Sequence, residues 1–142
     1  QKNIELNQLS EKVKVYPYGL GDKKYEHKIA FNPVNTGASS LVGDETAEQT
    51  NQAKVDTFDS FLPELGISGT DKILFKLDVE GMEAEAIAGA AKLIEQFDHI
   101  LFIVEVKHSG KQNVINTLNS LAMFEIGDID QFNIYAKKLL KP

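Results

Sequence analysis

The sequence predicts an α/β fold with a largely parallel sheet, and three features of its second half carry that prediction. Two apolar strands are expected at residues 73–79 and 100–106, with a helical segment at residues 83–97 between them. A second amphipathic helix follows, and the chain closes with a β-hairpin over residues 124–136. The order strand, helix, strand, helix and hairpin is typical of an α/β domain. Because 142 residues is the length of one domain, we expect residues 1–142 to form a single one.

The first 57 residues carry weaker signals. Residues 3–9 resemble the last turns of a helix, and residues 13–16 alternate with the period of a strand before Pro17. Residues 24–57 are polar and contain short β-prone runs on both sides of a turn-rich loop at residues 35–40. We therefore predict an excursion of hairpin and loop at about residues 24–57, outside the hydrophobic core.

The elements of the second half are predicted from their periodicity. Residues 83–97 form one helix with an apolar face, and residues 100–106 are apolar enough for a strand that is covered on both sides. Ser109 is the expected N-cap of the next helix, with Gln112 completing a capping box. The apolar positions of the two helices are Ala86, Ala90, Leu93, Ile94 and Phe97 in the first, and Val114, Ile115, Leu118 and Leu121 in the second.

Composition restricts the partners of the chain. The net charge is −6, and all fifteen basic side chains are Lys, so the basic face and the bidentate Arg contacts that favour nucleic acid are missing. The chain contains no basic amphipathic stretch that would bind an anionic membrane surface. It also contains no apolar run of the roughly 20 residues that a membrane span needs. The chain has no Cys and opens with Gln1. The opening Gln1 leads us to expect a segment of a longer protein, and the absence of Cys fits a cytoplasmic one. Lys without Arg is typical of an AT-rich genome, and we expect a bacterial source.

Charged residues stand where the predicted strands end. Lys76, Asp78 and Glu80 alternate with apolar residues at the end of a strand that otherwise has a buried composition. Glu105 and His108 stand at the end of the next strand. The carboxyl ends of neighbouring parallel strands meet at one edge of the sheet, which is where ligands bind in open α/β folds. These five residues therefore form a polar constellation at one edge of the sheet, and they are the candidate site residues.

Plainer explanations of these charges stay open. Asp78 caps the following helix in one of them, and Lys76 forms a structural ion pair with Glu105 in another. Asp78, Glu80, Glu105 and His108 have the donor types for Mg, Mn or non-haem Fe. Their spacing matches no metal signature, and no metal is predicted. The tail lysines, including Lys138, are expected to be solvated.

Three segments of the chain resemble the FkbM family of methyltransferases. That family typically has the patterns v-x-T-L-D-x-f, I-K-I-D-V-E-G-x-E and L-x-G-a. The matching segments here are VDTFDSFL at residues 55–62, ILFKLDVEGME at residues 73–83 and Gly89-Ala90. Weaker matches are residues 3–7, 19–22 and 36–40, and Glu105 at the end of a later strand.

The resemblance implies a Rossmann-like methyltransferase fold that uses S-adenosylmethionine (SAM). The methyl group goes to a hydroxyl, often of a sugar or another natural product. Gly19, Leu20 and Asp22 match the positions that bind the cofactor, with Asp22 at the adenine ring. Asp78 and Glu80 would lie beside the transferring methyl group and the acceptor, with Asp78 either positioning the acceptor or contacting the charged centre of the cofactor. The resemblance makes Glu80, Glu105 and His108 the candidate bases at the acceptor pocket, and Lys76 a residue that orients a carboxylate.

The chain departs from the family pattern at its beginning. The glycine-rich first loop, D-x-G-A-N-x-G, and the acidic residue after the second strand are expected upstream of Gln1, so the sheet is truncated at its N-terminal side. Strands one and two of the family sit between the third and fourth. Residues 13–16 therefore either pair with residues 73–79 or leave an open strand edge, and we expect a homodimer through that edge.

Two other classes of function compete with the enzyme. A non-catalytic binding or assembly module with a methyltransferase-like shape is favoured by the missing glycine-rich loop. A phosphoacceptor receiver domain would use Asp78, but it also needs an acidic pair after a first strand, which the sequence lacks. The methyltransferase is the leading hypothesis, with a small molecule or saccharide as its acceptor.

Overall fold

The computed structural model of the chain describes residues 1–30 and 50–140, with side chains over residues 1–26 and 53–140. It is a mixed α/β structure with two sheets. Its helices are α1 (Lys2–Leu6), α2 (Leu62–Leu65), α3 (Glu83–Ala88), α4 (Ala91–Gln96) and α5 (Lys111–Leu121), with a 3-10 turn at Phe58–Ser60. Its strands are β1 (Gly19–Leu20), β2 (Tyr25–Ala30), β3 (Thr50–Asp56), β4 (Lys72–Leu77), β5 (His99–Glu105), β6 (Phe124–Asp128) and β7 (Asn133–Lys138).

The two sheets are mixed, so the prediction of a largely parallel sheet is wrong for the described strands. The orders are β1-β3-β2 and β4-β5-β7-β6. Only β1 with β3 and β4 with β5 are parallel, whereas the other three pairings are antiparallel. The reason is that each sheet contains an antiparallel strand pair. In the first sheet β3 pairs with β2, and in the second β7 lies between β5 and β6 and is antiparallel to both. The predicted closing hairpin is confirmed by the pairing of β6 with β7.

Residues 13–16 do not form the predicted strand, and they pair with no described strand. Side chains hold this segment instead: the ring centroid of Tyr16 lies 5.0 Å from that of Phe61, and Lys14 Nζ donates to the Glu64 carbonyl at 3.2 Å. The strand begins later, at β1, and pairs in parallel with β3. One edge of β4 pairs with β5, and its other edge carries none of the described strands.

The hydrophobic core lies between one face of the β4–β5–β7 strands and helices α3, α4 and α5. All five apolar positions predicted for residues 83–97 are buried, which confirms that face. The opposite face of the sheet is open in the described part of the chain, because Leu74 is 64% exposed and Leu101 is 37% exposed. The prediction that residues 100–106 are covered on both sides is therefore wrong here. None of the described helices is long and apolar enough to cross a membrane.

The predicted helix at residues 83–97 is two helices, α3 and α4, with Gly89 between them. The backbone of Gly89 lies so close to Gly21 that a Cβ atom there would overlap the Gly21 carbonyl oxygen. Asp59 then caps α4, because its carboxylate oxygens accept from the Lys92 amide at 2.8 Å and the Leu93 amide at 3.0 Å. A long-range contact therefore interrupts a continuous helical pattern.

Within the excursion predicted at residues 24–57, the described strands β2 and β3 pair antiparallel, as the two strands of a hairpin do. The excursion is not wholly outside the core, because Val55 is fully buried. Residues 35–40 lie outside the described residues. Lys138 is another correction: it is buried and donates to the carbonyls of Ile94 at 2.6 Å and Phe97 at 2.7 Å. These bonds satisfy the end of α4, so its ammonium group is not solvated.

Candidate functional site

The turn between β4 and α3 contains the first group of predicted residues. Glu80 has φ 51° and Gly81 has φ 103°, so two successive residues take left-handed backbone conformations and reverse the chain. A Cβ atom on Gly81 would lie 3.5 Å from the Cβ atom of His108. The turn therefore lies against the loop that follows β5. This contact arises because β4 and β5 are parallel neighbours and end at the same edge.

Lys76 and Asp78 form an ion pair on the open face of β4. Lys76 Nζ lies 3.0 Å from Asp78 Oδ2, and the side chains are 64% and 47% exposed. Lys76 is thus paired with Asp78 and not with Glu105. The charges need no compensation for burial, because this face of the strand is exposed. Asp78 is also not the cap of α3, since Ser109 Oγ accepts from the first amide of that helix, at Glu83.

Glu80 and His108 form the second pair at this edge. Glu80 Oε2 lies 3.5 Å from His108 Nε2, and both side chains are partly exposed. A carboxylate next to an imidazole is an arrangement that can take up a proton from a neighbouring hydroxyl group. The pair is formed across two loops, because Glu80 follows β4 and His108 follows β5.

Glu105 lies at the end of β5 and is half-buried. Leu77 is opposite Val104 in the β4–β5 register. Asp78, the residue after Leu77, and Glu105, the residue after Val104, therefore occupy the next position along the two chains. Across its other edge, Glu105 is opposite Asn133 of β7. Within the described residues, no three His, Asp or Glu side chains come together in a group that could hold a metal ion.

The predicted cofactor residues lie on a second loop beside this turn. Gly19 and Leu20 form β1, and Asp22 follows the buried Gly21. A Cβ atom on Gly21 would lie 2.7 Å from Val55 Cγ1 and 3.7 Å from Met82 Cε. Met82, which is core as its apolar character suggests, immediately precedes α3. The loop of Asp22 and the loop of Glu80 therefore meet at Met82.

Tyr25 reports on the electrostatics between these loops. Its hydroxyl donates to Met82 Sδ at 3.8 Å. Burial raises the pKa of the Tyr25 phenol, and the nearby carboxylates of Asp22 and Glu85 raise it further. The Tyr25 hydroxyl therefore lies near two carboxylates, one on the Asp22 loop and one on α3.

The sequence pattern did not identify Glu83 and Ser109 as residues of this site. Glu83 is only 1% exposed, and its Oε1 accepts from the amides of Val79 at 3.0 Å and Gly81 at 3.3 Å. Ser109 donates its hydroxyl to Glu83 Oε2. The available signal for Glu83 was its position as the last acid of the segment at residues 73–83.

The prediction that Ser109 caps its own helix with Gln112 is wrong. Helix α5 begins at Lys111, its N-cap is Gly110 with φ 79°, and no side chain caps it. The side-chain amide of Gln112 donates to Asn116 Oδ1 at 2.8 Å. The hydroxyl of Ser109 is used on α3, across the fold.

The structure is thus an α/β fold in which partly exposed carboxylates and a histidine lie on the loops after two parallel strands, at the edge where open α/β sheets bind ligands. Its family follows from comparison with known families. The model of the FkbM methyltransferase domain matches residues 1–135, and the chain belongs to that family. The resemblance inferred from the sequence segments is confirmed. No curated protein and no solved structure matches the chain.

Proposed function

We propose that the protein is a SAM-dependent methyltransferase that methylates a hydroxyl group of a sugar or natural product, in the cytoplasm. The observation that carries this proposal is the pair of Glu80 and His108 beside the exposed Asp78, in a chain of the FkbM methyltransferase family. We propose a Rossmann-like sheet on the support of the parallel pairing of β4 with β5.

The described residues suit this cofactor. When bound, SAM supplies a methyl group on a positively charged sulfur. The chemistry of the donor set fits a cation, because Asp22, Asp78 and Glu80 supply three carboxylates and Lys76, paired with Asp78, supplies one ammonium group. Gly19, Leu20 and Asp22 would hold the adenosine part. Asp78 would face the charged centre and orient the acceptor.

Glu80 and His108 would receive the proton of the acceptor hydroxyl. Their side chains are partly exposed, so an acceptor can reach them from solvent. Methyl transfer needs mainly orientation and one group that accepts this proton. Glu105 would border the acceptor pocket, and Lys76 would keep the Asp78 carboxylate in place.

A second candidate is a non-catalytic binding or assembly module with the same shape. It is favoured by one observation: the charged side chains at this edge pair with each other, Lys76 with Asp78 and His108 with Glu80. Such a module would use the loops at residues 19–22 and 78–82 to bind a partner or a nucleoside without turnover.

Calorimetric titration with S-adenosylhomocysteine, the reaction product, separates the two candidates. Micromolar binding that is lost in Asp22→Ala supports the enzyme, and acceptor screening by transfer of a labelled methyl group then follows. A folded chain that binds no S-adenosylhomocysteine, and whose parent protein binds none, favours the module. The matched control is Asp98→Ala, because Asp98 is exposed on the loop before β5.

We also propose that two copies of the chain associate through β4. The support is its open edge, where Lys72, Leu74 and Lys76 are exposed. Antiparallel pairing of two copies centred on Phe75 would bring Lys72 of one copy opposite Asp78 of the other. This register pairs opposite charges on both sides of the two-fold axis.

Light scattering at low ionic strength measures this association. We expect twice the monomer mass for the wild type and the monomer mass for Lys72→Glu, which places like charges opposite each other. Lys137→Glu is the control, because Lys137 is exposed on β7, away from the open edge. A monomeric wild type over a wide concentration range would exclude this dimer.

A further inference from the structure

The Glu83 side chain is a carboxylate inside the protein. It is the first residue of α3 and is 1% exposed, whereas the carboxylates of Asp78 and Glu80 reach solvent. A buried carboxylate is tolerated only when hydrogen bonds replace its hydration. The hydrogen-bond partners of the Glu83 carboxylate therefore indicate its role in the structure.

The first oxygen of Glu83 holds the turn that contains Glu80. Oε1 accepts from the amides of Val79 at 3.0 Å and Gly81 at 3.3 Å, the residues immediately before and after Glu80. Glu80 itself has φ 51°, which is disfavoured for a residue with a side chain. Two hydrogen bonds to one buried oxygen keep the backbone in this conformation and set the direction of the Glu80 side chain.

The second oxygen of Glu83 holds the loop that contains His108. Oε2 accepts the hydroxyl proton of Ser109, the next residue after His108, and Ser109 Oγ accepts from the Glu83 amide at 3.2 Å. The two residues are thus joined in both directions. Gly81 and His108 also meet directly, since a Cβ atom on Gly81 would lie 3.5 Å from His108 Cβ.

We infer that Glu83 and Ser109 are positioning residues that hold Glu80 and His108 together as a proton-accepting pair. The inference rests on the proposed function for the catalytic use of the pair, whereas the positioning itself stands on the contacts. Glu80 lies between the two amides that donate to Glu83, and His108 immediately precedes Ser109, whose hydroxyl also donates to Glu83. One buried carboxylate therefore fixes both loops. The Glu80–His108 separation of 3.5 Å then depends on the hydrogen bonds between Glu83 and Ser109, in which neither Glu80 nor His108 takes part.

Three variants test this inference in the complete protein. Ser109→Ala removes the hydroxyl bond, Glu83→Gln keeps an oxygen for the two amides but offers no second acceptor to Ser109, and Ser109→Thr retains the hydroxyl. The matched control is Thr117→Ala, which removes an exposed hydroxyl of α5 that donates to the Asn113 carbonyl at 3.0 Å. All four are examined for folding by circular dichroism before comparison.

The kinetic readout is the division between kcat and KM. We expect Ser109→Ala and Glu83→Gln to lower kcat by about 10- to 100-fold, because the pair no longer meets the acceptor hydroxyl in the right geometry. The acceptor KM and the affinity for S-adenosylhomocysteine should change less than about threefold. Ser109→Thr should restore kcat, and Thr117→Ala should leave it unchanged. An unchanged kcat in folded Ser109→Ala would overturn the inference.

The second readout does not need catalysis. In nuclear magnetic resonance spectra, Ser109→Ala should shift the amide signals of Val79 and Gly81 and the imidazole signals of His108, and Ser109→Thr should not. Signals that stay in place in Ser109→Ala would overturn the positioning role. If these signals move but the wild type binds no S-adenosylhomocysteine, the proposed function fails while the positioning stands.

Discussion

Asp59 and Asp78 lie in two segments that resemble the same family pattern, and the structure uses them in opposite ways. Both oxygens of Asp59 accept from backbone amides, those of Lys92 at 2.8 Å and Leu93 at 3.0 Å. Asp78 contacts a side chain, Lys76 Nζ at 3.0 Å, and is 47% exposed. Asp59 joins the turn after β3 to α4, whereas Asp78 faces solvent at the end of β4.

The difference teaches how a structural carboxylate can be told from a candidate catalytic one. Backbone amides at a helix start are fixed donors, so the carboxylate they hold contributes to folding. An exposed ion pair between side chains contributes little to stability, because water screens it and both side chains lose freedom. A carboxylate such as Asp78 can therefore exchange its partner for a ligand at low cost. The variants below test this comparison.

Asp78→Asn should have the largest effect, and it should be on activity. We expect the complete enzyme to lose turnover by at least about 100-fold, because the carboxamide keeps the shape but not the charge. The melting temperature should stay at the wild-type value, since the pair with Lys76 is exposed. Methyl transfer and thermal unfolding are measured on the same samples, with Asp98→Asn as the control. Wild-type turnover would remove Asp78 from the mechanism.

Gly89→Ala should have the largest effect on stability. The added Cβ atom would overlap the Gly21 carbonyl oxygen, so the backbone contact between the two loops must open. We expect a loss of about 2–3 kcal/mol in the free energy of unfolding by urea. The sign is informative by itself, because Gly89 has φ −71°, where Ala would ordinarily stabilise the protein. A stabilised variant would contradict the close approach of Gly89 to Gly21.

Asp59→Ala should lower the free energy of unfolding by about 1–2 kcal/mol, the usual cost of removing a helix cap. Its carboxylate satisfies the amides of Lys92 and Leu93, which otherwise lose their acceptors. Urea unfolding of Asp98→Ala gives the baseline for losing an exposed aspartate. Equal stabilities of the two variants would mean that the cap contributes nothing, and the contrast with Asp78 would fail.

Asp130 provides the smallest test, through pH. The amide of Phe132, the side chain of Asn133 and the Asn133 amide donate to its carboxylate and lower its pKa. A lowered folded-state pKa stabilises the protein above the unfolded-state pKa of about 3.9, and this contribution is lost as the pH falls through the folded value. Unfolding free energies measured from pH 5 downward should therefore fall less steeply in Asp130→Ala than in the wild type. Parallel curves would contradict this.

Much of the fold was predictable, because its signals are local. The apolar runs of β4 and β5, the buried face of residues 83–97 and the closing hairpin all follow from periodicity. The charged loop residues were also predictable, since an acid after an apolar strand stands out. Ser109 and Lys138 were not, because a hydroxyl near a helix start and a lysine in a basic tail have ordinary local explanations.

The sequence by itself determined the family, the order of the second-half elements and which charged residues follow β4 and β5, because these depend on residue type and spacing along the chain. Only the tertiary structure decided which partners meet. It placed Gly89 against Gly21, paired Glu80 with His108, and directed Glu83 and Ser109 to each other. These choices depend on contacts between residues far apart in the chain, where hydrogen-bond geometry and close packing select one partner among several with the same chemistry.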